Sequence, residues 1–209
     1  MVRIYAVAAA AAVAGVLGGT FVMPLLQASE DDRFAPCRAS AIAGGTGSIG
    51  GPFELINSAG KTVTDAEIIT KPTLLYFGYT FCPDVCPLDL ARNAEAMDEL
   101  ANTGYTTQGV FITIDPERDT PEVVGEYAGY MHEDMIGLTG SPEQVKAAST
   151  AYRTYYRAHA PEEGDDFYLV DHSTQSYLVL PEHGFVEFFN RNDTAKQIAE
   201  RVGCFIDNA

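Results

Sequence analysis

Two short runs with almost no polar interruption, Thr73-Leu74-Leu75-Tyr76-Phe77 and Val110-Phe111-Ile112-Thr113-Ile114, constrain the fold most. Each is too short for an ordinary helix and too apolar for a strand with one wet face, so both read as strands buried on two sides, the habit of a sheet covered by helices. Between them Leu90, Ala94, Met97 and Ala101 recur at helical spacing, and Gly104 closes the segment. A buried strand, a helix and a second buried strand make a βαβ unit. Thr120-Pro121 then supplies an N-cap and a first-turn proline, Ile136-Gly137-Leu138 a weaker strand, and Ser141-Pro142-Glu143-Gln144 a capping box that opens a helix with Val145, Ala148 and Tyr152 inward.

The flanks read differently. Phe53-Glu54-Leu55-Ile56 and Lys61-Thr62-Val63 enclose Asn57-Ser58-Ala59-Gly60, a hairpin with a four-residue turn. Downstream, Tyr168-Leu169-Val170 and Tyr177-Leu178-Val179-Leu180 bracket the polar loop Asp171 to Gln175, and a hairpin ahead of the final helix is expected in this region. Phe185 to Phe189 adds another strand, and Ile198 with Val202 marks a last helix. The order predicts a thioredoxin-like α/β fold, a central mixed sheet flanked by helices.

Ahead of this domain, Ile4 to Leu26 is apolar for about 23 residues, enough at ~1.5 Å per residue to cross a hydrocarbon core of ~30 Å. Arg3 precedes it and Glu30, Asp31 and Asp32 follow, which by the positive-inside rule leaves the N-terminus in the cytoplasm and sends the rest outward. A cleaved signal peptide is the alternative, but the run exceeds the usual signal core of ~7–15 residues and Leu26-Gln27-Ala28 is a poor cleavage site. A mitochondrial presequence would be rich in Arg and Ser. The expected organisation is a cytoplasmic stub 1–3, a transmembrane anchor 4–26, a tether and Gly-rich loop 27–51, and one domain 52–209 in the periplasm of a bacterium with the anchor in its inner membrane. A net charge of −16 excludes a phosphate-binding surface for nucleic acid and leaves a solvated acidic surface or, less often, a basic docking partner.

The chemistry lies in Cys82-Pro83-Asp84-Val85-Cys86-Pro87, which sets two thiols four residues apart where a strand hands over to a helix. Helix N-termini favour thiolate over thiol. Oxidised, the pair is a disulfide; reduced, it offers two soft ligands for Cu(I) or Zn(II). A permanent disulfide suits an oxidising compartment, but so short a loop gains little entropy from closure. The pair alone leaves these readings open.

The stretch Tyr76-Phe77-Gly78-Tyr79-Thr80-Phe81-Cys82-Pro83-Asp84-Val85-Cys86-Pro87 resembles the signature of the Sco/SenC copper-protein family. The likeness continues through Phe111-Ile112-Thr113-Ile114-Asp115-Pro116-Glu117-Arg118-Asp119-Thr120-Pro121 and Tyr168-Leu169-Val170-Asp171-His172-Ser173, and spans the chain from about Phe53 to the last helix. The resemblance implies that Cys82, Cys86 and His172 bind one copper ion, as Cu(I) or as Cu(II). It implies a role in assembling the binuclear copper site of cytochrome c oxidase, as donor of the metal, as reductant of that site's cysteines, or as both. Subunit II of the oxidase or another copper-site precursor would be the partner, with other copper chaperones as further contacts.

Without that likeness, a lone histidine such as His172 is more often a surface or core-lining residue than a ligand. His132, His159 and His183 have no cysteine near in sequence and read as surface groups, and Met131 and Met135 as packing residues. Asp84, Asp115 and Asp119 are candidates for partner contact or for supporting the site, although turn formation and helix initiation explain the last two as well. An even cysteine count outside the cytoplasm favours a structural disulfide between the remaining Cys37 and Cys204. Three functions compete: a metallochaperone needs Cys82, Cys86 and His172; a thiol–disulfide oxidoreductase needs the two cysteines as its catalytic pair; a redox or copper sensor would signal to another membrane protein. A peroxidase would need a lone activated cysteine, which this arrangement lacks.

Overall fold

The computed structural model describes residues 32–39, 46–159 and 167–209. The expected anchor, 4–26, lies outside them, and no helix among the described residues is long and apolar enough to cross a membrane. Residues 1–35 and 36–209 separate as two units, and among the described residues the second holds every strand and every α-helix.

The runs read as doubly buried strands become β3 (Thr73–Gly78) and β4 (Gln108–Thr113), each buried at all six positions. They pair in parallel, with Leu75 opposite Val110 and Phe77 opposite Ile112. Between them runs α2 (Val85–Asn102), after the short α1 (Asp65–Ile68) that precedes β3. The inward row of α2 is Leu90, Ala94, Met97 and Leu100; Ala101 is exposed, because the buried stripe continues from Met97 by three residues and not four. Gly104 ends the segment at φ 92°, the left-handed conformation in which glycine meets no Cβ penalty.

Thr120 caps α3 (Pro121–Met131) through Val123 N–H, β5 (Met135–Thr139) follows in parallel to β4, and Ser141 and Gln144 form the capping box of α4 (Pro142–Ala151). The first hairpin is β1 (Glu54–Asn57) and β2 (Thr62–Thr64), closed by Gly60 N–H donating to Asn57 O at 2.9 Å. Together with β8 (Ser176–Leu180) and β9 (Gly184–Phe189) the main sheet runs β2-β1-β5-β4-β3-β8-β9, its centre parallel and its flanks antiparallel. The last helix, α5 (Ala195–Asp207), packs beside α2.

The structure corrects the placement of His172 on the polar loop Asp171 to Gln175. The strand ahead of the polar loop, β7 (Val170–His172), does not pair with β8; it pairs antiparallel with β6 (Tyr156–Ala158) in a separate two-stranded sheet, His172 opposite Tyr156. Both edges of β8 are already taken, by β3 and β9, so β7 finds backbone partners only on another strand. His172 is therefore the last residue of a strand and not the middle of a loop.

Cys37 and Cys204 are disulfide-bonded, their Cα atoms 5.7 Å apart across a sequence separation of 167. Nearby, Ala39 N–H donates to Glu187 at 3.2 Å, and the wholly buried Glu187 carboxylate pairs with Arg201 at 2.8 Å. The segment after Cys37 is thus tied to both β9 and α5.

Candidate metal centre

The parallel strands end where the cysteines begin. Ile114 N–H donates to Gly78 O at 2.8 Å, and Cys82 N–H turns back to Tyr79 O at 3.2 Å. Gly78 has to be glycine because a Cβ there would lie 2.9 Å from the Cys86 sulfur and 2.9 Å from the Tyr76 ring, closer than packed atoms approach. The sharp turn places Cys86 in the first turn of α2, where its N–H donates to Cys82 Sγ at 3.4 Å. Both thiols are free, Cys86 with no exposed surface and Cys82 with 8%.

The strand β7 brings His172 to the same place, 86 positions downstream. Its Nε2 is 3.3 Å from Cys86 Sγ, and its Nδ1 faces Ser173 O at 2.8 Å. That carbonyl suits a proton on Nδ1 and turns Nε2 toward the sulfurs. The rings of Tyr79 and Tyr76 stand edge-on to the imidazole, centroids 5.9 and 6.2 Å away, and fix its plane. Ser173 is held in turn, its N–H donating to Tyr155 O at 2.9 Å and its hydroxyl accepting from Tyr155 N–H at 3.0 Å. Among the described residues, Cys82, Cys86 and His172 form the one group of three or more His, Cys, Asp or Glu donors that converges, all within 4.8 Å of one another. Bonds of about 2.0–2.3 Å, as imidazole and thiolate make to a metal ion, span donors at that spacing.

The two sulfurs differ electrically. Hydrogen bonding from the Cys86 thiol, joined by His172 and the N–H groups of Cys86 and Asp84, outweighs burial and holds Cys82 well below the usual thiol range. Donating to Cys82, together with complete burial, pushes the Cys86 thiol up. Cys82 is thus the thiolate of the pair and Cys86 its proton-bearing neighbour. Deep burial also raises Tyr76, whose hydroxyl donates to the buried Asp89 at 3.0 Å, so this ring stays neutral beneath the site.

The three aspartates fall in different places. Asp84, at the N-cap of α2, is exposed and its side chain caps nothing. Asp119 is wholly buried, accepting from Thr80 N–H at 3.0 Å and from the hydroxyls of Thr80 and Thr113 at 2.5 Å each, which ties the cysteine loop to the end of β4. Burial nevertheless pushes its carboxyl above the ordinary value. Asp115 pairs with Arg118 at 2.5 Å and accepts from Tyr168 hydroxyl at 2.6 Å. Neither Asp115 nor Asp119 belongs to the converging donor set.

Sequence reasoning passes over Arg118, Tyr168 and Tyr79 as site residues, although each stands inside one of the three motifs. A planar cation between two aromatic-bearing segments is the available signal. His132 sits by Asp98 at 3.4 Å and His159 by Asp171 at 2.8 Å, neither among the converging donors, while Met135 packs against Gly109 and Met131 against the core.

A family model described as SCO1/SenC matches residues 43–207. The protein SenC of Rhodobacter capsulatus is 52% identical over 206 residues, covering 97% of this chain and 90% of its own. The mitochondrial SCO1 homolog 1 of Arabidopsis thaliana is 46% identical over 159 residues, covering 76% of this chain and 47% of its own, so this chain spans about half of that longer relative. Among solved structures, Arabidopsis thaliana ScoI with copper bound superposes with a TM-score of 0.71 at 45% identity, covering 76% of this chain and 99% of that one. Yeast Sco1 with copper bound gives 0.71 at 37%, covering 78% and 90%.

Proposed function

Because this chain belongs to the SCO1/SenC family, we propose that it is a copper metallochaperone that holds one copper ion on Cys82, Cys86 and His172 and hands it to, or prepares, the binuclear copper site of cytochrome c oxidase. The observation that carries the reading is the convergence of two thiols and an imidazole from segments 86 positions apart. Two soft sulfurs and one nitrogen form a low-coordinate set suited to Cu(I), whereas structural zinc takes four ligands. The copper-bound relatives support the same metal. A cargo must also leave, and three donors, one of them on a strand outside the main sheet, release an ion more readily than a closed cage. Exposed Phe81, next to Cys82, and Leu88, two positions after Cys86, offer apolar contact to a partner docking over the site, subunit II of the oxidase or another copper-site precursor.

The reading includes place. Residues 4–26 anchor the chain in a bacterial inner membrane with the domain in the periplasm, supported by the apolar run and by the Cys37–Cys204 bond, which suits an oxidising compartment.

The unequal thiols support a second reading, thiol–disulfide exchange. The Cys82 thiolate would attack a partner's disulfide, Cys86 would resolve the mixed disulfide, and two partner thiols would form as Cys82–Cys86 closes; a dithiol donor would have to reopen it. Anaerobic titration of the reduced protein with Cu(I) separates the two. One equivalent should bind tightly to the wild type and weakly to Cys82→Ala, Cys86→Ala and His172→Ala, while the exchange reading needs only that His172→Ala still reduces a disulfide peptide. Equal binding by all four proteins would overturn the assignment.

A further inference from the structure

Resting on the reading that Cys82, Cys86 and His172 share one copper ion, we propose that Arg118 is a positioning residue for that site, latching the β6–β7 arm that carries His172 onto the loop that carries the cysteines. The arm shares no ladder with the main sheet, so no strand of that sheet holds its ligand in place. Arg118 lies where the two halves meet. On the arm side its Nη1 donates to Tyr168 O at 3.0 Å, and its guanidinium carbon sits 3.6 Å from the centroid of the Tyr168 ring, four positions before His172. On the cysteine side the same guanidinium lies 4.9 Å from the Phe81 centroid and 5.7 Å from that of Tyr79, the residues that open the turn into Cys82.

Asp115 fixes the latch from beneath, holding Arg118 Nε and the Tyr168 hydroxyl with its two oxygens. Tyr79 adds a backbone tie, its hydroxyl accepting from Val170 N–H at 3.3 Å. A planar cation can stack on one ring, lie over a second and still donate in its own plane; a lysine ammonium cannot reproduce that geometry. Arg118 is not one of the converging donors, so it acts through His172.

The test uses the reduced full-length chain loaded with one Cu(I), with bicinchoninate as competitor and the release rate as readout. Arg118→Met should speed release on the order of 10- to 100-fold, the loss typical when a partner orienting a metal ligand is removed. Arg118→Lys should recover little of it. The decisive arm is Arg118→Met combined with His172→Ala, which should release copper as fast as His172→Ala alone, because a latch acting through His172 has nothing left to hold. If the double variant is faster still, or if Arg118→Met releases at the wild-type rate while His172→Ala is fast, Arg118 is not the latch. If His172→Ala itself releases at the wild-type rate, the three-donor reading fails and not the latch. Tyr168→Leu removes the ring from the other side and should show the same non-additivity, which keeps the test open should Arg118→Met not fold.

Discussion

At the scale of single residues the site is a pair of chemically identical side chains made unequal by position. Cys82 accepts hydrogen bonds and is held low; Cys86 donates, is buried and is pushed up. Below the ordinary thiol value, ~8.5, the unfolded chain carries a proton on Cys82 that the folded chain lacks, so the stability of the reduced protein rises with pH in that range and is lost as pH falls. Above it the unfolded chain loses a proton from Cys86 that the folded chain keeps, so stability falls as pH rises further. Urea melts of the reduced protein should therefore lose stability on both sides of that value. Cys82→Ser should remove the acidic slope and Cys86→Ser the alkaline one; a wild-type profile unchanged by either substitution would refute the unequal pair. The Cys-x-x-x-Cys spacing was legible in the sequence, but which sulfur is the thiolate was not, because the deciding hydrogen bonds depend on a turn and on a histidine from elsewhere.

Elements explain why the ligands differ in firmness. Cys82 lies in the loop between β3 and α2 and Cys86 in the first turn of α2, and β3 is buried at every position with ladders on both sides. His172 ends β7, which has one partner, itself three residues long. Backbone amides of β6 and β7 should exchange with deuterium well before those of β3 and β4 in the apoprotein, and Cu(I) should slow the arm selectively by fastening His172 to both cysteines. Equal protection of arm and core without copper would contradict a separately attached arm. The helices were legible through their caps at Thr120 and Ser141, since capping is local chemistry. In the sequence the polar loop after Val170 reads two residues too long, because Asp171 and His172 are polar and their place in β7 depends on pairing with the distant β6.

For the molecule as a whole, the Cys37–Cys204 bond closes a separation of 167 residues and fastens the chain beyond the proposed anchor to the last helix. Replacing both cysteines by serine should cost about 2–5 kcal/mol in denaturant melts and leave Cu(I) stoichiometry unchanged, because neither sulfur belongs to the converging group. In cells, acid-trapped full-length chain should carry this bond, and a variant lacking residues 4–26 should carry free thiols in the reducing cytoplasm; a bond in both would remove its support for an exported domain. Periodicity, capping and loop spacing act over a few neighbours, so the βαβ order, the buried strands, the helix starts and the Cys82–Cys86 turn are written in the chain itself. The pairing of β7 with β6, the bridge at Arg118 and the approach of His172 to the sulfurs arise only in the folded molecule. Those contacts join residues tens of positions apart, and their existence depends on which strand edges remain open once the sheet has closed around its core.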